Sequence, residues 1–204
     1  MNSKEAEHKL RVLLAFAKRK GASHARLIDA REVVVDPRVR FKCSVPRCSS
    51  YGLNLMCPPN VMPVQEFSDV LRRYRKAILL QVETDTDSID KSTASLDGRL
   101  CEELDRATDS ANWQKALHKL VNAVETQAFK QGFYLAAGLT GGDCSLCPEC
   151  VAVPSGKPCR HPFEARPSME AMGIDVIRTC DKAGMPVRLS SEAKIRWTGL
   201  VLVH

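Results

Sequence analysis

Hydrophobic residues recur every three or four positions in four stretches of the chain, a spacing that places them on one face of a helix. In the first stretch, Leu10, Leu13, Leu14 and Ala17 alternate with charged residues, and Gly21 follows as a stop signal. The same reasoning predicts helices over residues 4–20, 63–76, 109–131 and 168–184.

Other stretches are short, and their residues are either continuously apolar or strictly alternating, which is typical of strands. The segment "ARLIDA" alternates like a half-buried strand, whereas "WTGLVLV" reads as a buried one. The predicted strands cover residues 25–30, 76–84, 133–140, 186–190 and 197–203, and Val33 to Val35 continue the first as an extended run. Helices and strands in this order predict an α/β fold, a sandwich of a mixed sheet with helices.

A chain of 204 residues is the size of one compact domain, so residues 1–204 are predicted to form a single α/β metal-binding domain. Within it, residues 1–34 would form an N-terminal helix and strand. Residues 40–63 would form a first cysteine loop and residues 141–162 a second. A segment rich in Asp, Ser and Thr, residues 84–97, is predicted to be a solvated connection.

Composition narrows the class of protein. Hydrophobic residues make up 44% and charged residues 26% of the chain, and no apolar run approaches the ~18 residues of a membrane span. The first residues are charged and helix-periodic, unlike a secretory signal, so we expect a soluble, cytoplasmic protein without a membrane partner. The net charge is +6, but Lys and Arg are scattered rather than gathered in one run, which disfavours a nucleic-acid partner.

The strongest chemical signal is "GGDCSLCPECVAVPSGKPCRHP", which spaces Cys144, Cys147, Cys150 and Cys159 as C-x2-C-x2-C-x8-C. Thiols in a reducing compartment more often bind metal than form disulfides. The run C-x2-C-x2-C supplies three ligands of a 4Fe-4S cluster in bacterial ferredoxins, and Cys159 would be the fourth. Structural zinc, the alternative, usually takes two C-x2-C pairs with a longer spacer.

A second group, Cys43, Cys48 and Cys57, lies in a proline-rich loop with the spacing C-x4-C-x8-C. Because such a loop has little regular hydrogen bonding, a bound inorganic centre would supply the missing constraint. Three cysteines would leave one iron of a cluster open to water, substrate or a small thiol. A nearby Cys, Asp or His could instead supply the fourth ligand.

Several neighbouring residues are weaker candidates. Cys101 and Cys180 lie in helix-like contexts, where an ordinary thiol is the better interpretation. Arg160, His161 and Arg166 follow Cys159 closely and could hydrogen-bond sulfides or an anion, and His161 could replace a ligand.

At these residues the chain resembles a bacterial and archaeal family of uncharacterised proteins known only as predicted metal-binding proteins. The resemblance rests on "KCSVPRCSSYGLNLMCPPN", "GDCSLCPECVAVPSGKPCRHP" and "RPSMEAMGIDV" and extends from about Val35 to the C-terminus. It implies metal binding by seven cysteines: Cys43, Cys48, Cys57, Cys144, Cys147, Cys150 and Cys159. It implies no particular reaction.

Three functions fit this sequence. The first is electron transfer by an iron–sulfur protein with two 4Fe-4S clusters and a redox partner protein. The second is an enzyme whose three-cysteine cluster binds a small-molecule substrate for sulfur-transfer or reductive chemistry. The third is a structural zinc protein that serves interaction. The common nucleotide-binding and hydrolase motifs are missing from the sequence, which disfavours those chemistries.

Overall fold

Four strands form one sheet at the centre of the protein. The computed structural model describes residues 2–85, 110–151, 155–187 and 194–204. The strands are β1 (His24–Asp29), β2 (Lys76–Asp85), β3 (Ala137–Leu139) and β4 (Lys194–Val203). They lie in the order β1-β2-β4-β3, with antiparallel neighbours throughout.

This sheet confirms the predicted α/β class and corrects one detail of it. Strands β2 and β3 run in the same direction, as expected of two strands joined through a helix. The last strand, β4, is inserted between them and runs the opposite way. The strand pairs are therefore antiparallel rather than mixed, and the described parallel contact is the isolated bridge between Thr140 and Ser168.

Two long helices cover one face of the sheet. They are α1 (Ser3–Arg19) and α4 (Ser110–Lys130), and both agree closely with the predicted helices. Leu13 of α1 and Leu117 of α4 are fully buried against Ile78 and Leu80 of β2. Trp113 of α4 stacks on Trp197 of β4, with ring centroids 3.5 Å apart. None of the described helices is long and apolar enough to cross a membrane.

Shorter elements cover the opposite face. They are α3 (Val64–Leu71), α5 (Val176–Lys182) and a 3₁₀ turn at Ala30–Glu32, while the short helix α2 (Pro37–Phe41) has no buried residue. The core on this side joins α3 and α5 to the sheet and includes Phe67, Met169, Ile174, Cys180 and Leu200. Because β2 and β4 are covered on both faces, they read as continuous apolar runs.

The predicted helix over residues 168–184 is correct only in its second half. Residues 168–175 form turns, in which Met169 N–H donates to the Thr140 carbonyl at 2.8 Å and Ile174 N–H donates to the Met169 carbonyl at 2.9 Å. Gly173 has φ +81°, and a Cβ there would lie 2.7 Å from Val64. The chain therefore turns at this glycine, and α5 begins after Asp175, whose side chain accepts from Arg178 N–H.

The predicted strands differ in length more than in position. The strand predicted over residues 133–140 is reduced to β3 because Ala136 N–H closes a turn on Phe133. Val35 contributes an isolated bridge to Ile174 rather than an extension of β1. Pro186 and Val187 are not in a strand, and the rest of that predicted strand lies outside the described residues. So does most of the predicted connection over residues 84–97.

Candidate metal centre

The first cysteine loop is a series of short hydrogen-bonded turns. Cys48 N–H donates to the Cys43 carbonyl at 3.0 Å, and Cys57 N–H donates to the Asn54 carbonyl at 3.1 Å. The Arg40 guanidinium donates to the Met62 carbonyl at 2.5 Å, which joins the two ends of the loop. These turns hold the three cysteines within one compact loop.

The three thiols of this loop differ in exposure. Cys57 is buried at 7% exposure, Cys43 is half-buried and Cys48 is exposed. Burial raises the pKa of Cys57 strongly, and Asp143, Cys48, Cys43 and Cys144 raise it further because all four are near enough to interact electrostatically. The first group therefore runs from solvent inward toward the second cysteine loop.

The second cysteine loop brings its four thiols into one group. Burial raises the pKa of Cys144, and electrostatic interactions with Cys159, Cys150 and Cys147 add to the effect, while a hydrogen bond from Leu146 N–H lowers it. His161 N–H donates to the Cys159 sulfur at 3.3 Å. Two backbone donors thus already point at sulfurs of this group, an arrangement that stabilises thiolates.

The segment directly after the second loop, residues 163–166, is fixed to α4 by polar contacts. Arg166 forms a two-point ion pair with Glu125, with N···O distances of 2.6 and 2.9 Å. His118, which is 1% exposed, lies 3.0 Å from the Glu164 carbonyl through Nε2, and Asn122 donates to the same carbonyl at 2.9 Å. Since a carbonyl only accepts, His118 Nε2 carries the hydrogen.

The two cysteine loops are joined directly. Asn54, which is buried, donates to the Cys144 carbonyl at 2.9 Å, and Ser50 donates to Asp143 Oδ2 at 2.6 Å. Gln114 of α4 donates to the other oxygen of Asp143 at 3.2 Å. The two groups of thiols are therefore neighbours, and Cys57 and Cys144 lie on the sides that face each other.

Two glycines precede the second group for a packing reason. A Cβ on Gly141 would lie 2.6 Å from the Thr198 carbonyl of β4, and Gly142 has φ +70° beside Trp113 and Gln114. The close contacts of both glycines are with α4 and β4, so they fix the position of the loop on the sheet.

A cavity of about 520 Å³ lies beside the first group. Its wall includes Lys42, which precedes Cys43, and Glu170, which is close enough to Cys43 to raise the pKa of its thiol. Arg38 is also in the wall but is paired with Asp36 at 2.6 Å. The remaining lining is mainly apolar: Val39, Ile174, Val176, Ile177, Val187 and Trp197.

The secondary candidates from the sequence have protein partners. Arg160 donates to the Glu149 carbonyl at 2.8 Å, and His161 Nδ1 lies 3.3 Å from Glu164. Cys180 is buried in the core and lies 3.7 Å from Thr198 Oγ1, and burial raises its pKa to about 11. Cys101 lies outside the described residues.

Sequence reasoning missed three polar residues at the site. These are Asn54 and Asp143, which join the loops, and Glu170, which lines the cavity. Of these three residues, only Asp143 could have been suspected from the sequence, because it directly precedes Cys144. Asn54 and Glu170 can be recognised as site residues only from the contacts that they make in the folded chain.

The donor set fits a metal centre. All eight described cysteines are free thiols, so none of the seven candidates is used in a disulfide. Thiolates are soft ligands that select zinc, copper(I) and iron–sulfur clusters. Within the described ranges, no three Cys, His, Asp or Glu side chains already converge as ligands of a single ion.

The sheet and its paired thiol groups place the protein among cysteine-rich α/β metal-binding proteins. The chain belongs to the family described as predicted metal-binding protein (DUF2284), whose model matches residues 26–203. This match confirms the metal-binding family that the motifs suggested. Searches among curated proteins and among solved structures gave no match.

Proposed function

We propose that the protein binds two 4Fe-4S clusters and transfers electrons. The observation that carries this proposal is the closeness of the two thiol groups, through the Asn54 contact with the Cys144 carbonyl and the electrostatic interaction of Cys57 with Cys144. Bound iron–sulfur clusters supply one-electron chemistry. Electron exchange between two centres falls steeply with distance, so neighbouring sites favour it.

The seven cysteines would divide four and three between the two clusters. Cys144, Cys147, Cys150 and Cys159 complete one ligand set, and the first group supplies three ligands of the other. The N–H groups of Leu146 and His161 donate to sulfurs and would tune the reduction potential of the second cluster. Asn54 and Asp143 would keep the spacing between the two clusters constant.

The direct test is the iron and acid-labile sulfide content of protein purified without oxygen. We expect about eight iron and eight sulfide per chain. After reduction with dithionite, electron paramagnetic resonance (EPR) should detect two clusters whose signals broaden each other. One or two zinc ions and no sulfide would contradict the proposal and favour the structural zinc protein.

The redox partner would dock on the first cysteine loop. Residues 36–65 contain four basic residues and one acidic one, Asp36, which pairs with Arg38 and leaves three positive charges in excess in the sequence count. Large apolar side chains are exposed in this loop: Phe41, Val45 and Leu53. An acidic redox protein is complementary to this surface, and its rate of electron transfer should fall as salt screens the attraction. A rate independent of salt would contradict this assignment.

The cavity favours a second candidate, an enzyme acting at the three-cysteine cluster. A volume of about 520 Å³ is in the range of sites that bind small molecules, and its wall adjoins Cys43 through Lys42 and Glu170. A small substrate bound there would lie next to the cluster. In sulfur-transfer or reductive chemistry, the open iron of the cluster would then bind the substrate, and the cluster would supply electrons.

A small thiol distinguishes this enzyme from a simple electron carrier. Adding 2-mercaptoethanol should shift the EPR signal of one cluster only, and Ile177→Trp, which narrows the cavity at an exposed position, should remove the shift. Val12→Trp on α1 is the matched control because Val12 is also partly exposed but is not among the cavity residues. An unchanged signal in the unmodified protein would rule against the enzyme.

A further inference from the structure

One carboxyl oxygen of Glu170 is buried. Its Oε2 atom is inaccessible to solvent and has no hydrogen-bond partner among the residues that the structure describes. The residue lines the cavity and interacts electrostatically with Cys43. A buried acceptor that lacks a donor or a cation is costly, so this atom requires an explanation.

The surroundings of Glu170 hold the side chain in place without supplying that partner. Hydrogen bonds from its own N–H, the Ser168 hydroxyl and the Gly142 N–H act on the carboxyl group and lower its pKa. Burial outweighs them and raises the pKa. The carboxyl group is therefore positioned by the second cysteine loop and the turn before α5, while Oε2 remains available.

A second carboxyl group near the first thiols provides a contrast. Asp143 interacts electrostatically with Cys57, but its Oδ2 accepts from Ser50 at 2.6 Å and its Oδ1 accepts from Gln114 at 3.2 Å. Each oxygen of Asp143 thus already has a donor. Of these two carboxyl groups, only Glu170 has an oxygen left for another ligand.

We propose that Glu170, a residue of the cavity wall, supplies the fourth ligand of the first cluster through Oε2. This inference rests on the proposed function, because it needs a cluster held by Cys43, Cys48 and Cys57. A carboxylate oxygen is a harder and weaker ligand for iron in such a cluster than a thiolate. A small thiol entering the cavity can therefore displace it, and Glu170 regulates access to that iron.

The first test is the Mössbauer spectrum of wild-type protein loaded with ⁵⁷Fe. One iron in about eight should have a higher isomer shift than the others, because an oxygen ligand replaces a sulfur. Eight iron atoms with the common spectrum of sulfur-ligated sites would overturn the proposal. Absence of iron and sulfide would overturn the proposed function itself, and this inference with it.

The second test titrates 2-mercaptoethanol into three variants and follows the EPR signal. Glu170→Gln keeps the size of the side chain but removes the anionic ligand, so half-saturation should occur at about a tenfold lower thiol concentration. Glu66→Gln, at an exposed carboxylate of α3, is the matched control and should behave like wild type. Asp143→Asn is not a control but tests the other carboxyl group near the first thiols as an alternative ligand.

The variants separate the possible failures. If Glu170→Gln retains about eight iron and its titration and Mössbauer spectrum equal those of wild type, Glu170 is not a ligand although the proposed function stands. If Asp143→Asn alone changes the distinct iron, the fourth ligand is Asp143 and the proposal is wrong. The circular dichroism spectrum of each variant must match that of wild type, which shows that the variant is folded. The Mössbauer spectrum of wild-type protein tests the oxygen ligand without any variant, so that test does not depend on the folding of a variant.

Discussion

The two cysteine loops use different means to bring thiols together. The second loop has four half-buried thiols and is fixed to α4 by Arg166, His118 and Asn122. The first has three thiols that range from buried to exposed, and Arg40 joins its ends through a backbone carbonyl. The second loop contains four candidate ligand thiols, whereas the first contains three.

Removing a single cysteine thiol, from either loop, should have the largest effect on the iron content of the protein. We expect Cys57→Ser to lose the first cluster and Cys147→Ser the second, each about four of eight iron per chain. Iron and sulfide analysis of protein purified without oxygen measures the loss. Cys180→Ser is the control, because this buried thiol lies in the core of the sheet and should leave the iron content unchanged. Loss of all iron from either single variant would mean that the two loops bind metal as one unit.

Breaking the anchor of the second loop should lower stability substantially. Glu125→Gln removes the charge that pairs with Arg166, and both side chains are more than four-fifths buried. It also weakens the bond that Gly138 N–H donates to Glu125 at 2.8 Å. We expect a loss of about 2–3 kcal/mol in the free energy of unfolding, measured in urea.

The matched control for this anchor is Glu7→Gln, which breaks an exposed ion pair between Glu7 and Arg11 on α1. Such pairs contribute about 0.5 kcal/mol or less. Equal effects of the two variants would mean that the Glu125 contact does not fix the loop.

The second loop should also make stability depend on pH through His118. Burial lowers the pKa of His118, and Arg166 lowers it further, although the Glu164 carbonyl raises it. The unfolded chain then binds a proton more readily than the folded one, so this stability is full above about pH 6.5 and falls as pH decreases toward the folded pKa.

Urea unfolding of the metal-free protein from about pH 5 to 8 tests this dependence, with a slope of at most about 1.4 kcal/mol per pH unit for one proton. His118→Gln should reduce the slope, while His8→Gln, at an exposed position of α1, should retain it. An unaltered slope in His118→Gln would assign the dependence to other groups.

The smallest effect is expected from removing the hydrogen bond between Ser50 and Asp143, which joins the two loops. Ser50→Ala removes one hydrogen bond to Asp143, which should cost about 1–2 kcal/mol and reduce the mutual broadening of the two EPR signals. Ser49→Ala, one residue earlier and exposed, should change neither quantity. If both variants match wild type, the Ser50 hydrogen bond does not contribute to holding the two loops together.

The sequence predicts what depends on local pattern and misses what depends on tertiary contact. Helices α1 and α4 follow from apolar spacing, because their burial repeats with the helical period. Strand β2 follows from its continuous apolar run, because residues on both of its faces are buried. The turns over residues 168–175 do not, since they form on Thr140 and Val64, which are distant in sequence. The insertion of β4 between β2 and β3 is equally invisible in a linear pattern.

The same limit applies to the site. Cysteine spacing predicts two groups of thiols, and the structure does bring Cys57 and Cys144 near each other. The roles of Asn54 and Glu170 depend on atoms from the other loop, on the Cys144 carbonyl and the Gly142 N–H respectively. A polar residue without a motif cannot be recognised before these contacts are known.

The stacked tryptophans give this protein an optical signal from a single place. Trp113 and Trp197 are the only two tryptophans of the chain, their rings are 3.5 Å apart, and Trp197 lines the cavity beside the first loop. Iron–sulfur clusters absorb near-ultraviolet and visible light and quench indole emission nearby. If the protein binds clusters as proposed, intrinsic fluorescence would offer a label-free way to follow their loading and the entry of small molecules in real time.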